Sequence, residues 1–378
     1  MARRVLYIHG IGGIGGAERD LLAMLRALDR NAWEPHVACP PLTPLSERLA
    51  KDGMPLHALE VGPWRKWYAL FIRRRDVWNL RAMISHVAPA LIHVNDIWWM
   101  PHTICAVSGV PHLRRPVVTH VRQEIEPEKV KRYRLESADG VIAISRQVEQ
   151  ALIAGGVARE SVRTIYSGVQ WPREVPPADR TAVCRALGLS NDAVLLGTVA
   201  HVFPRKGYDV MLRALPKIID GAPGVHYMII GTGEAAYEQE LKSLAARLGV
   251  GNHVHFVGFQ DDVTPFLSAL SLYVHPARME GFGIAVVEAL GAGKAVVATR
   301  VGGLPEVVDH ERTGLLVTPN NPAELSEAIL SLLRDDVRRK AMGKCGAQVA
   351  RERFDVRSSV AAIERLYLEV LNAGRAGE

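Results

Sequence analysis

The stretch from Ser271 to Val308, SLYVHPARMEGFGIAVVEALGAGKAVVATRVGGLPEVV, admits few folds. It reads as strand, loop, helix, strand, loop, helix, with strands at Leu272 to His275 and Ala295 to Thr299. Gly-Phe-Gly closes the first loop before a helix that begins near Ile284; Gly302 and Gly303 close the second, and Pro305 takes a favoured first-turn position. In an open α/β sheet the ligand lies outside the carboxyl ends of the strands, where glycines admit backbone amides and helix dipoles favour an anion. A phosphate suits such a place. Glu280 and Glu288 would be repelled by it and must face hydroxyls, a cation or solvent. Phosphate and hydroxyls together describe a nucleotide sugar.

Seven residues separate the two glutamates inside HPARMEGFGIAVVEAL, and VGGLPEVV follows. This arrangement resembles the E-x7-E signature and the later Gly-Gly-x-Pro-Glu of retaining GT4-family glycosyltransferases. The resemblance implies a GT-B fold: two Rossmann-like, doubly wound α/β domains facing a central cleft. Laid along the chain, it implies an acceptor-side domain over residues 1–172 and a nucleotide-sugar donor domain over 173–357, with a helix over 358–378 crossing back to the first domain.

Length supports two domains, since 378 residues exceed one ordinary core. Residues 171–180 carry Pro172, Pro176 and Pro177 and read as a stiff linker. No apolar run reaches the ~18 residues of a membrane span, and MARRVLYIHG leads into a strand and glycine loop rather than a cleaved leader, so a cytoplasmic protein is expected. The four cysteines have no metal or redox spacing. A net charge of +6 is consistent with anionic partners without selecting one.

The first loop, HGIGGIGG, contains a formal G-x-G-x-x-G at Gly10, Gly12 and Gly15, the mark of a dinucleotide site. Against this, the next strand ends in Cys39-Pro40-Pro41, with no acid to hold a ribose. The family resemblance instead matches GGAE and implies that Gly15 and Gly16 pack against donor phosphates. From Gly62 to Ile84, cations (Arg65, Lys66, Arg73, Arg74, Arg75) alternate with Trp64, Trp67, Tyr68, Phe71 and Trp78. Such a helix suits an anionic membrane surface at the inner face, or an ordinary amphipathic helix with core rings and solvated cations; no nucleic-acid module is visible.

The strand ending at His120 and the one ending at Asn95-Asp96 are expected to point into the same crevice. The resemblance puts His120 beside the transferred sugar, and Asp96, Trp98 and Glu124 are acceptor-side candidates. In FPRKGYD, Arg205 and Lys206 precede a helix start, where the dipole disfavours cations unless an anion is bound. The family usually has arginine where this chain has His201, and aspartate where it has Gln170. Gly258 and Phe259 fall where relatives run along the nucleobase.

The expected activity is retaining transfer of a hexosyl group from a UDP- or GDP-sugar to an acceptor such as a lipid-linked or cell-surface glycan intermediate. No cofactor is expected: the chain has no Asp-x-Asp, and fixed cations would carry the leaving charge. In that scheme Arg205 and Lys206 stabilise the departing phosphate and Glu280 and His120 hold the sugar. Glu288 accepts from the ribose, and the backbone of Phe282, Gly283 and Ile284 completes the donor site. Alternatives are a GT-B nucleotide-sugar epimerase, a non-catalytic nucleotide-sugar-binding protein and a NAD-dependent oxidoreductase. The two glutamates could also simply pair with Arg278 and Arg300.

Overall fold

The computed structural model describes residues 2–60, 62, 64, 70–171 and 180–376. It divides into two compact units, Met1–Gly168 with Val356–Glu378, and Val169–Asp355.

Among the described residues the first unit holds seven parallel strands: β1 Arg3–Ile8, β2 Trp33–Cys39, β3 Leu56–Ala58, β4 Leu91–Val94, β5 Val117–Val121, β6 Gly140–Ala143 and β7 Val162–Thr164. Helices α1 Gly16–Ala27, α2 Pro44–Lys51, α3 Leu70–Val87, α4 Met100–Val107, α5 Pro127–Arg132 and α6 Arg146–Ala154 fall between them. The spatial order is β3-β2-β1-β4-β5-β6-β7. The chain therefore winds from β1 to one edge, returns beside β1, and winds to the other edge. Its order reverses between β1 and β4. LIHV in β4 and VVTHV in β5 are buried throughout, as parallel strands covered on both faces must be.

Among the described residues the second unit repeats the plan with six parallel strands: β8 Val194–Val199, β9 Val225–Ile230, β10 Val254–Gly258, β11 Leu272–His275, β12 Val296–Thr299 and β13 Gly314–Val317. Its helices are α7 Arg180–Ala186, α8 Tyr208–Gly221, α9 Ala235–Arg247, α10 Thr264–Ala269, α11 Ile284–Gly291, α12 Leu304–Val307, α13 Pro322–Arg334 and α14 Asp336–Arg353. The order β10-β9-β8-β11-β12-β13 reverses between β8 and β11.

The last helix, α15 Val356–Ala376, belongs to the first unit. Val360, Ile363, Leu366 and Val370 enter the core that contains Leu21 and Leu25 of α1. Tyr367 meets Trp33 edge-on at 5.3 Å, and its hydroxyl bonds those of Tyr7 at 3.1 Å and His93 Nδ1 at 2.6 Å.

In the basic aromatic stretch, Arg65, Lys66, Trp67 and Tyr68 lie outside the described residues, as do the side chain of Phe71 and linker residues 172–179. The helix itself runs Leu70–Val87. Arg73 stacks over Trp64 at 4.9 Å, buried Asp76 accepts the Gly62 amide at 2.8 Å, and Trp78 is 69% exposed. Among the described residues no helix is long and apolar enough to cross a membrane.

Candidate functional site

Ligands of doubly wound sheets collect where the strand order reverses, and each sheet carries a buried polar cluster at that place. In the second unit the loops after β8 and β11 meet. Gly207 makes the meeting possible: its φ is +69°, and a Cβ there would lie 1.9 Å from the Pro276 carbonyl oxygen. No other residue fits. The close approach aims Lys206 at Glu280, and the ammonium donates to Glu280 Oε2 at 2.6 Å. His275, at the end of β11, donates from Nε2 to the same oxygen at 2.8 Å, and its Nδ1 lies 3.3 Å from the Tyr273 hydroxyl.

Burial alone would raise the Glu280 carboxyl pKa; the Lys206 charge and the His275 bond outweigh it and hold the group far below the carboxylate range. Burial likewise lowers His275, against the pull of Glu280, so the ring is neutral at pH 7. The result is an ammonium beside a fixed carboxylate, with a further lysine N–H still available to an anion. The Gly302 loop joins the cluster through the Gly303 amide, which donates to the Glu280 carbonyl at 3.2 Å. Glu288 lies one turn into α11, part-exposed.

Gly283 caps α11 with φ +96°, and a Cβ there would fall 2.7 Å from Leu304. Phe282 is buried, its ring against Phe354 at 5.4 Å, so only its backbone can meet a ligand. Ile284 opens the helix part-buried. Gly258 ends β10 with φ +80°, its carbonyl accepting the Gly231 amide at 2.8 Å, and Phe259 stands 48% exposed beside it. Arg278 does not pair with Glu280; it grips Asp209 with two bonds of 2.7 and 2.8 Å. Arg300 bonds the Leu316 carbonyl at 3.4 Å. Arg205 departs from Lys206: its side chain is exposed and lines a cavity that Lys206 and Glu280 do not touch.

In the first unit a hydrogen-bonded chain crosses the reversal between β1 and β4. Arg122 pairs with Asp20 and donates to Asn95 Oδ1 at 2.8 Å. Asn95 Nδ2 donates to His9 Nδ1 at 3.1 Å, and His9 Nε2 donates to Glu18 at 3.0 Å. The other Glu18 oxygen accepts the Gly15 amide at 2.7 Å. Glu18 therefore occupies the Gly15 donor expected to face phosphate, while Gly16 stays exposed. Burial pulls Arg122 down to about 9 against the charge of Glu18. Burial likewise pushes Asp96 up to about 6, against the Trp98 amide.

His120 lies in β5, one residue before its end, 2% exposed, and burial pushes its pKa down to about 3. Neither ring nitrogen has a hydrogen-bond partner among the described residues. Trp98 packs edge-on against Tyr133 at 4.9 Å, and Glu124 is part-exposed after β5. Among the described residues no group of three or more His, Cys, Asp or Glu is placed to hold a metal ion. The sequence reading missed His275 and the His9–Asn95–Arg122 chain. The only signal for His275 was a histidine ending an otherwise apolar strand, five residues before Glu280.

Comparison with known proteins agrees with both halves. The family model described as Glycosyltransferase Family 4 matches residues 14–170, and that of Glycosyl transferases group 1 matches residues 179–349. A D-inositol 3-phosphate glycosyltransferase of Corynebacterium jeikeium is 30% identical, over 75% of this chain and 70% of its own. One from Saccharomonospora viridis is 33% identical, over 80% and 67%. The crystal structure of Anabaena HepE in complex with UDP and glucose superposes with a TM-score of 0.82 at 25% identity, covering 96% of this chain and 98% of that one. With two parallel-sheet units, each matched by its own family model, the chain belongs to the GT4-type glycosyltransferases and has the GT-B fold.

Proposed function

We propose that the protein transfers a hexosyl group from a nucleotide-diphosphate sugar to a hydroxyl acceptor, with retention at the anomeric carbon. The observation that carries this reading is the Lys206–Glu280–His275 cluster at the strand reversal of the second unit. Lys206 would stabilise the leaving diphosphate as the C1–O bond breaks, with the amides at the start of α11. Glu280, fixed in its ionised form, would accept sugar hydroxyls, and Glu288 the ribose hydroxyls. His120, neutral and unpartnered, would offer a ring nitrogen to the sugar. Asp96, Trp98 and Glu124 would meet the acceptor.

A uridine donor is favoured by HepE, whose complex contains UDP and glucose. The D-inositol 3-phosphate relatives favour a phosphorylated polyol acceptor; a lipid-linked glycan intermediate at the inner membrane face, touched through residues 62–84, is the other acceptor to test. We propose that no metal takes part, the fixed cations serving instead. Purified protein is incubated with UDP-glucose, UDP-N-acetylglucosamine or GDP-mannose and an acceptor panel, with and without chelator. Release of nucleoside diphosphate with an α-linked product from an α-linked donor supports the reading. Epimerised donor without transfer, or donor binding without turnover, overturns it.

A further inference from the structure

A cavity of about 780 Å³ lies between α8 and α9 in the second unit, bounded by Pro204, Arg205, Arg278 and Met279. None of Lys206, His275, Glu280 and Glu288 lines it. Its charges are unbalanced. Arg205, Arg213, Arg247 and Arg278 face Asp209 and Glu240, and Arg278 already holds Asp209 through both oxygens. Arg205, Arg213 and Arg247 are exposed and form no ion pair among the described residues. Three guanidinium groups gathered round one concavity repel each other, and an anion between them reverses the sign of that cost.

The wall also holds a donor. The Tyr237 hydroxyl is buried with no hydrogen-bond partner among the described residues. Burial pushes it up to about 12, so it keeps its proton at every physiological pH. Buried hydroxyls are normally satisfied, and a phosphate oxygen would serve. The volume falls within the roughly 300–1,000 Å³ of small-molecule sites, and guanidinium forks match phosphate oxygens in pairs.

We propose that this cavity is a second anion site, binding a phosphorylated small molecule through Arg205, Arg213 and Arg247 with Tyr237 as a neutral donor. A soluble phosphate ester and a phospholipid headgroup share this chemistry, and the concave shape favours the soluble one. The site is independent of the proposed donor site, so it stands or falls without it.

The test is titration calorimetry of the full chain with inorganic tripolyphosphate, and flotation with phosphatidylcholine vesicles containing phosphatidic acid. The variants are Arg213→Glu/Arg247→Glu, Lys206→Ala, and the charge-matched control Arg159→Glu/Arg185→Glu, whose two arginines are exposed elsewhere. The expected result is tripolyphosphate binding that survives Lys206→Ala and the control but weakens about tenfold or more in Arg213→Glu/Arg247→Glu. Vesicle binding with the same variant pattern, in place of tripolyphosphate binding, would assign the site to a headgroup. Binding lost in Lys206→Ala, lost equally in the control, or absent from both probes overturns the proposal. Circular dichroism of each variant separates loss of the site from loss of fold.

Discussion

Replacing Lys206 with methionine removes the cation but keeps most of the buried stem. Lys206 and Glu280 have side chains only 11% and 13% exposed, so the carboxylate left behind is largely cut off from water. Breaking one partner of a buried pair costs about 3–5 kcal/mol. Because His275 Nε2 still donates to the same oxygen, the lower end applies, about 3 kcal/mol. In a unit of this size that lowers the melting temperature by about 6–12 °C. Adding Glu280→Gln should recover part of the loss, with a coupling of about 1–3 kcal/mol in the double-mutant cycle.

The pH dependence of Lys206→Met has a definite sign. Glu280 is held below its unfolded value near 4.3, so the pair contributes fully above that pH and less as pH falls. The gap between wild type and Lys206→Met should therefore be constant above about pH 6 and narrow below about pH 4. Turnover should fall about 10²–10³-fold if Lys206 meets the leaving phosphate. Urea unfolding at several pH values, with donor-consumption kinetics on the same preparations, measures each quantity. Unchanged unfolding free energy with unchanged turnover would refute the reasoning.

Three further changes separate other parts of the structure. Gly207→Ala places a methyl group against the Pro276 carbonyl at a left-handed position, so it should cost about 2 kcal/mol or more and depress turnover through the displaced Lys206; crystallography of the variant would locate the lysine. Asp96 protonates more readily folded than unfolded, so its stability cost appears as pH rises from about 4 to 6 and persists above; Asp96→Asn should stabilise by about 2 kcal/mol at pH 7.5 and by nothing at pH 3.5, as thermal melts across pH will show. Tyr367→Phe strips a buried bond from His93 and another from Tyr7, so denaturant unfolding should show a loss of about 1–3 kcal/mol.

Much of the site was legible because it is local. Glu280, Gly283 and Glu288 sit within nine residues, and glycines that end a strand and open a helix mark a place where backbone amides can meet an anion. Two doubly wound units were implied by the family resemblance, and a length of 378 residues agreed with two domains. The partners were not. Arg278 is two residues from Glu280 yet bonds Asp209, while Lys206, 74 positions away, is the cation that Glu280 receives. Gly15 reads as a phosphate donor until Glu18, three residues on, takes its amide.

Sequence by itself thus determined which residues end strands, start helices and can carry charge, since those properties follow from spacing and backbone freedom within a few residues. Only the tertiary structure decided which charges meet and which stay in water. Desolvation and pairing depend on the parallel pairing of β8 with β11 and of β1 with β4, elements far apart in the chain and adjacent only once the sheets have formed.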